Sequence, residues 1–377
     1  MKTPFIYLDY NASTPIDPRV TDEMLPYLTR IYGNPSSIHN QGLKAKEAVQ
    51  KARQQVANLI GANPDEIIFT SGGTEANNHA IIGTAMANKV KGNHIITSAI
   101  EHPAVTEVCK YLESQGFSIS YVDVDHEGII KVEELKKTIT NETILISIMH
   151  ANNEIGSIQP IEEIGKLARE KGIVFHTDAS QSVGKIETKV DQLQVDLLTI
   201  AGHKIYAPKG VGALYIRRGT KLNNLMFGAG HERGVRPGTE NVAQVVALGK
   251  ATEISEEEFV KNTEHMKDIR DYLLKKLQSL KVDLVVNGNL FKCLPNTLNA
   301  SFKNVDANNL IYELRNNVAL SAGSACHSGE VKLSNVVKAV LTNFEHAKGT
   351  IRFSVGKSTS KKEIDEAALL IANILED

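Results

Sequence analysis

Two hydrophobic periods alternate along the chain from about residue 43 to residue 250. The run from Ala45 to Leu59 places apolar residues on one face of a helix, and Gly61 follows as a stop signal. Residues 161–168 repeat the helical pattern, whereas residues 67–70 (Ile-Ile-Phe-Thr) have the composition of a short buried strand. Six further short apolar runs predict strands at residues 94–97, 118–122, 143–149, 173–176, 197–200 and 213–216.

Strands that alternate with amphipathic helices predict an α/β fold with a mostly parallel sheet wrapped by helices. In such folds ligands bind at the carboxyl ends of the strands. The acidic stretch 253–258 is interpreted as the start of a long helix that crosses into a second domain, which ends in an amphipathic helix near residues 364–375.

Length and charge limit the class of protein further. At 377 residues, and about 100–200 residues per domain, two domains are expected. The net charge of −2 and the absence of basic runs argue against direct binding to nucleic acid or to a membrane surface. The N-terminus resembles a strand rather than a signal peptide, and no stretch of about 18 uncharged apolar residues occurs.

Three widely spaced cysteines, Cys109, Cys293 and Cys326, indicate neither a disulfide framework nor a metal site, so a cytoplasmic location is expected.

Two polar residues at strand ends suggest cofactor chemistry. Lys204 follows the apolar run 197–200, and Asp178 ends the run 173–176. A lysine amine can form a Schiff base with the aldehyde of pyridoxal phosphate (PLP), and a carboxylate can hold its pyridine nitrogen protonated. Taken alone, the lysine would be a surface residue and the aspartate a helix cap. Together they favour a PLP site.

Two strand-to-helix junctions add to this hypothesis. Residues 71–78, Ser-Gly-Gly-Thr-Glu-Ala-Asn-Asn, can present backbone N–H groups to a phosphate at a helix N-terminus, although an ordinary turn has the same composition. His102 follows the run 94–97 and could stack on a flat ring and transfer protons near the substrate Cα. The alternative for His102 is a hydrogen-bonded loop residue.

The C-terminal part contains a candidate nucleophile and a candidate anion ligand. Cys326 lies among small residues between Gly323 and Gly329, which favours a flexible loop that carries a thiol to a ligand. The alternative is a buried cysteine that packs as a small hydrophobe. Arg352 lies in a predicted strand, where its guanidinium could bind an α-carboxylate or simply lie at the surface. The long glycine-rich segment 227–241 is typical of a functional loop, and an interface role is expected.

In this order, the segments resemble the class V aminotransferase-like family, and within it the NifS/IscS-type cysteine desulfurases. The resemblance extends from residues 8–15 (Leu-Asp-Tyr-Asn-Ala-Ser-Thr-Pro) and 33–37 to residues 351–356. It implies a PLP fold type I homodimer with a seven-stranded, mostly parallel sheet in a large domain at residues 15–255. Residues 1–14 and 256–377 would form a smaller α+β domain carrying a mobile catalytic-cysteine loop at about 322–335.

The resemblance also implies a role for each matching residue. Lys204 would form the Schiff base, Cys326 would carry a persulfide, and His102 would stack on the ring. Substrate carboxylate would be held by Asn153 and Arg352. The implied cofactor contacts are Gly73, Thr74, Asn153, Asp178, Gln181, His203 and Lys204, with Thr239 reaching in from the other subunit.

Some positions depart from the pattern of the desulfurases. Ala201 stands where many relatives have serine, which removes one phosphate contact. Together with Asn11, Ala201 and His327 resemble the selenocysteine lyases of the same family, but Pro103 stands where those lyases have aspartate.

The leading hypothesis is conversion of L-cysteine to L-alanine, with the sulfur captured on Cys326 and passed to a protein acceptor such as an iron–sulfur scaffold or a tRNA-thiolation protein. The alternatives are release of selenium from L-selenocysteine, transamination, and a sulfur-relay scaffold without enzymatic activity.

Overall fold

The computed structural model describes residues 5–327, 330–341 and 344–375, which contain fifteen strands and thirteen helices. The strands are β1 (Ile6–Tyr7), β2 (Ile67–Thr70), β3 (His94–Ser98), β4 (Ser118–Val122), β5 (Thr143–Ser147), β6 (Val174–Asp178), β7 (Leu197–Ala201), β8 (Gly212–Ile216), β9 (Leu284–Val286), β10 (Thr297–Phe302), β11 (Val318–Ala319), β12 (Ser321–Ala322), β13 (Ser324–His327), β14 (Glu330–Leu333) and β15 (Thr350–Ser354). The helices are α1 (Pro18–Thr29), α2 (Asn40–Ile60), α3 (Gly73–Asn88), α4 (Pro103–Ser114), α5 (Val132–Thr138), α6 (Ile161–Lys171), α7 (Val190–Leu193), α8 (Val242–Glu257), α9 (Phe259–Gln278), α10 (Ala307–Leu314), α11 (Asn335–Val340), α12 (Phe344–Ala347) and α13 (Lys361–Leu375).

The predicted seven-stranded sheet is confirmed. Its strands lie in the order β2-β8-β7-β6-β5-β3-β4, and only β8 is antiparallel to its two neighbours. Successive residues point to opposite faces, so Ile95 packs in the core beneath α3 and α4 whereas Ile96 packs in the core beneath α2 and α8. Because helices cover both faces, the inner strands β3, β5 and β7 are buried along their whole length, whereas the edge strand β4 alternates polar and apolar residues.

A second hydrophobic core lies around the four-stranded antiparallel sheet β12-β15-β10-β9. Helices α9, α10 and α13 pack against it, and Ile6 and Leu8 from the start of the chain belong to the same core. Strand β1 pairs with β11 in parallel, which joins the N-terminal segment to the C-terminal part of the chain. These cores support the predicted division into residues 15–255 and residues 1–14 with 256–377, which stays a prediction.

Helix α2 confirms the helical pattern that ends at Gly61, which caps it in the left-handed conformation with φ of 68°. The interpretation of the acidic stretch 253–258 was wrong. Those residues end α8 rather than open a helix, because the buried period of α8 runs on to Ile254 and a separate helix begins at Phe259.

The segment predicted as a loop at 322–335 also differs. Backbone pairing joins β13 and β14 as an antiparallel hairpin in which Cys326 lies opposite Val331. Polar and apolar residues alternate from Glu330 to Leu333, which is typical of a strand, whereas the flanking glycines alone favour a loop. The side chains of residues 324–332 lie outside the described part of the structure, and mobility of the segment stays a prediction.

Across the three described ranges, no helix has the length and apolar character needed to cross a lipid bilayer. Within the same ranges, no group of three or more histidine, cysteine, aspartate or glutamate side chains is arranged to bind a metal ion.

Candidate active site

A cavity of about 390 Å³ opens at the carboxyl ends of β2, β3, β5, β6 and β7, where ligands of open α/β sheets bind. It brings together nine of the eleven predicted site residues, which are separated by up to 279 positions between Gly73 and Arg352. Its lining consists of Asn11, Ala12, Gly73, Thr74, Asn77, His102, Ala104, Met149, Ala151, Asn153, Asp178, Ser180, Gln181, Ala201, His203, Lys204 and Arg352.

Lys204 lies in a single helical turn (Gly202–Lys204) directly after β7. Its Nζ donates hydrogen bonds to the carbonyl oxygens of Asn11 and Ala12. Burial lowers the pKa of this amine to about 8, and repulsion by the Arg352 cation adds to the effect. About a tenth of the amine is therefore unprotonated at pH 7, far more than for an ordinary lysine, and this fraction can act as a nucleophile or base.

Asp178 is the last residue of β6 and is 7% exposed. Its Oδ2 accepts a hydrogen bond of 2.7 Å from Asn77 Nδ2, and its Oδ1 accepts one of 2.9 Å from the Ser180 backbone N–H. No lysine or arginine of the described residues forms an ion pair with this carboxylate. A buried carboxylate without a cation is costly, so a charged N–H group arriving in the cavity would be stabilised there.

The junction between β2 and α3 forms a cradle for an anion. Gly72 has φ of 153° and ψ of −176°, a conformation that is essentially restricted to glycine. It directs the chain into α3, whose first N–H groups have no partner within the helix. Close packing keeps the cradle small, because a Cβ at Gly73 would lie 3.0 Å from Ser180 Oγ and 3.2 Å from the Ala201 Cβ.

Two histidines line the same cavity in their neutral form. Burial, with the charge of Lys204 next, lowers the pKa of His203 to about 4. His102 caps α4, and its Nδ1 accepts a hydrogen bond of 3.1 Å from the Ala104 N–H. The His102 ring is exposed through the open cavity, yet the protein packed around it lowers its pKa. Since Nδ1 accepts, we assign the proton of the neutral ring to Nε2.

Arg352 extends from β15 to the cavity. Its Nη2 donates to Asp9 Oδ1 at 2.8 Å and to Ser321 Oγ at 2.9 Å, and its Nη1 donates to the Asn153 carbonyl at 3.0 Å. Within the described residues its buried Nε has no hydrogen-bond partner. The guanidinium is thus fixed at the cavity wall, in a position to bind a carboxylate.

Sequence reasoning missed Asn77 and the contribution of Asn11. Asn77 lies four residues after Gly73, on the same face of α3, so its position within residues 71–78 was an available signal. Asn11 acts through its backbone carbonyl, which accepts from both Lys204 and Gln181. No residue-type signal predicts such a backbone contact.

Two predicted residues are not placed in the cavity lining. Thr239 is exposed and lies on the glycine-rich segment 227–241. For Cys326 the structure gives the backbone, in β13, while its side chain lies outside the described part. The roles of both residues stay predictions.

The segment 227–241 is fixed to the large sheet by a buried ion pair. Glu232 is 7% exposed, and its carboxylate accepts from Arg53 at 2.6 and 2.8 Å and from the Phe69 N–H at 2.9 Å. Phe227, at the start of the segment, is 90% exposed. The segment is therefore fixed to the sheet at Glu232 while the apolar Phe227 side chain is exposed to solvent.

These side chains fit PLP. A half-buried amine of lowered pKa matches the aldehyde of that cofactor, a buried carboxylate without a cation matches its pyridine nitrogen, and a helix N-terminus with a small-residue cradle matches its phosphate. The buried Asn77 Oδ1, which has no partner among the described residues, lies beside the same carboxylate.

The fold is the PLP fold type I of the NifS-like proteins. A solved structure titled "NIFS-like protein" superposes with a TM-score of 0.93 at 38% identity, covering 99% of each chain. Another, titled "SspA in complex with cysteine", has a TM-score of 0.84 at 37% identity and covers 94% of this chain and 100% of that one.

The chain belongs to the aminotransferase class-V family, whose profile matches residues 6–367. It is 48% identical over 372 residues to the cysteine desulfurase IscS of Dictyoglomus turgidum, covering 98% of this chain and 94% of that protein. It is 47% identical over 376 residues to the IscS of Pectobacterium carotovorum subsp. carotovorum, covering 98% and 92%. The family predicted from the ordered motifs is confirmed.

Proposed function

We propose that the protein is a PLP-dependent cysteine desulfurase that converts L-cysteine to L-alanine and keeps the sulfur as a persulfide on Cys326. The observation that carries the proposal is that one cavity contains both a half-buried Lys204 amine of lowered pKa and a buried Asp178 carboxylate. The similarity to cysteine desulfurases over 98% of the chain supports cysteine as the substrate.

Each described side chain has a task in this reaction. When bound, PLP withdraws electrons from the Cα of the amino acid attached to it. Asp178 balances the positive charge of the pyridine N–H, and Arg352 binds the substrate carboxylate next to Asn153. Lys204, whose pKa is about 8, takes the Cα proton and can return it at the same wall of the cavity.

Cys326 receives the sulfur. Its thiolate attacks the substrate sulfur, so that an S–S bond forms while the substrate C–S bond breaks. The electron pair of the C–S bond stays on the carbon, which takes up a proton and leaves as alanine. As in disulfide exchange, the rate depends on the fraction of the thiol that is ionised. An acceptor thiol or scaffold protein then removes the terminal sulfur.

Product analysis tests the proposal. Purified, PLP-loaded protein is incubated with L-cysteine, and alanine and sulfide are measured in the presence of a reducing thiol. We expect equal amounts of the two products from the wild type and neither from Cys326→Ala, which should keep the visible absorption of bound cofactor. Lys204→Ala should lose that absorption.

Cys109→Ala provides the matched control, because Cys109 is buried in the core beneath α3 and α4, where burial raises the pKa of its thiol to about 12. Undiminished cysteine turnover by Cys326→Ala would refute the persulfide step. A keto acid in place of alanine would indicate transamination instead.

One observation is a reason to test L-selenocysteine as a second substrate in the same assay. The predicted departure at Ala201 lines the cavity as a methyl group, so no hydroxyl contacts a phosphate there. Parallel turnover of L-selenocysteine by the wild type and by Cys326→Ala separates the two activities. Selenide release that survives in the variant would favour a selenocysteine lyase.

We also propose a cytoplasmic homodimer in which Thr239 of the anchored segment 227–241 contacts the cofactor of the partner. The exposed Thr239 and Phe227 support this assignment. Light scattering measures the oligomeric state. We expect Thr239→Ala to weaken PLP binding and to leave the oligomeric state unchanged. A sulfur acceptor protein, either an iron–sulfur scaffold or a tRNA-thiolation protein, is the proposed partner.

A further inference from the structure

Lys185 is a buried lysine that the proposed reaction does not use. It follows β6 by seven residues, is 5% exposed, and forms no ion pair with an aspartate or glutamate of the described residues. Its Nζ donates one hydrogen bond, of 3.3 Å, to Gln181 Oε1. Burying an amine without a carboxylate is unfavourable, and a methionine of similar volume would avoid that cost.

Gln181 connects Lys185 to the cavity. It is 6% exposed and lines the cavity, and its Nε2 donates a hydrogen bond of 3.0 Å to the Asn11 carbonyl. In its protonated form Lys185 can only donate, and that form requires the amide oxygen of Gln181 on its side. The NH₂ group then faces Asn11 and the cavity. The same carbonyl of Asn11 accepts from Lys204, which joins both lysines to one backbone atom.

We propose that Lys185 is a positioning residue for the cofactor site, holding the Gln181 amide with its oxygen turned away from the cavity and its Nε2 available to the ring oxygen of PLP. The inference rests on the proposed function, because it takes PLP as the ligand. Without Lys185 the buried amide oxygen loses its donor, and only the Asn11 carbonyl still favours this orientation, so the preference against a 180° rotation is weaker.

The charges around Lys185 also support its role in holding the Gln181 amide. Lys204 and Arg352 repel it from the cavity side, and burial with this repulsion lowers its pKa to about 7. Tyr206 and Lys357 face it across a second cavity of about 20 Å³. No described acidic side chain lines this second cavity, and the Gln181 oxygen is the hydrogen-bond acceptor of Nζ.

A double-mutant cycle on PLP affinity tests the proposal. The equilibrium dissociation constant of PLP is measured by spectrophotometric titration of apoprotein for wild type, Lys185→Met, Gln181→Ala and the double variant. We expect Lys185→Met to weaken PLP binding about tenfold, the usual effect of one lost hydrogen bond, when Gln181 is present. In the Gln181→Ala background the same change should have no further effect.

Lys189→Met is the matched control. Lys189 lies four residues further along and donates to the carbonyl oxygens of Asn58 and Leu59 at the end of α2, so PLP affinity should not change. The cycle is repeated with Lys185→Arg, which keeps a cationic donor and should stay within about threefold of the wild type. If Lys185→Met does not fold, Lys185→Leu, which also removes the donor to Gln181 Oε1, replaces it in the cycle with the same expected loss.

Equal losses on Lys185→Met with and without Gln181, or no loss at all, would overturn the inference. Both results leave the proposed function intact, since wild-type protein still binds PLP. Failure of wild-type protein to bind PLP would instead overturn the proposed function and the inference together. A pH titration of the cofactor's visible absorption gives an independent readout: its midpoint should shift in Lys185→Met and not in Lys189→Met.

Discussion

Glu101→Gln is expected to stabilise the protein at neutral pH. Glu101 is 8% exposed, and its Oε1 accepts hydrogen bonds from Ser98 Oγ at 2.6 Å and from the Met149 N–H at 2.9 Å. Its buried Oε2 has no partner among the described residues. Burial raises the pKa of this carboxyl to about 8, and the negative charge of Asp178 adds to the effect. Glu101 is therefore protonated in the folded protein at pH 7.

The magnitude follows from linkage. In the unfolded chain the carboxyl ionises near its ordinary pKa of 4.5, whereas in the folded protein it stays protonated up to about 8. The free energy of unfolding therefore falls by about 1.4 kcal/mol for each pH unit between these values and is constant above them. At pH 7 the cost is roughly 3 kcal/mol, and more than 4 kcal/mol above pH 8. Glutamine keeps the accepting oxygen and the shape of the side chain but does not ionise.

Urea unfolding at saturating PLP, from pH 4 to pH 9, measures the effect. Glu101→Gln should match the wild type at pH 4 and exceed it by roughly 3 kcal/mol at pH 7, because only the wild type carries the ionisation cost. Glu107→Gln, an exposed glutamate of α4 paired with Lys110, is the control and should follow the wild type throughout. An unchanged pH slope in Glu101→Gln would refute the reasoning, since it would mean that Glu101 is ionised in the fold.

Three further predictions concern the ion pair, the packing and the substrate site. Glu232→Ala should lower the free energy of unfolding by about 3–5 kcal/mol, because it leaves Arg53 buried and unpaired, and Arg53→Met in the same chain should restore much of the loss. Gly349→Ala should cost at least about 2 kcal/mol in the same urea assay, because the added Cβ would lie 2.0 Å from the Phe302 carbonyl oxygen. Arg352→Lys should raise KM for L-cysteine by about 10–100-fold while cofactor absorption stays the same, because an ammonium cannot keep the bonds to the cavity wall and also bind a carboxylate with two parallel hydrogen bonds.

Local patterns predicted most of the large sheet because its strands are buried on both faces. Such strands are short apolar runs bounded by polar residues, so β2 was predicted to the residue and the ends of β6 and β7 to within two. Patterns failed at the acidic stretch 253–258, since acidic residues favour the first turn of a helix, whereas these residues end α8 and only precede α9.

In the candidate site too, local patterns predicted some residues and not others. Lys204 and Asp178 could be predicted because they are polar residues at the ends of apolar strands, and strand ends of a parallel sheet meet at one edge. The partner of Asp178 could not, because Asn77 is 101 residues away along the chain and reaches it only when α3 packs on the sheet.

The sequence by itself determined the family, the strands of the large sheet, and the residue types that can perform PLP chemistry, since these depend on local patterns and on ordered motifs. Only the tertiary structure decided the protonation states and the second layer of contacts. The raised pKa of Glu101, the lowered pKa of Lys204 and Lys185, and the orientation of the Gln181 amide all arise from burial. Burial is produced jointly by segments far apart in the chain, so no single stretch of sequence encodes it.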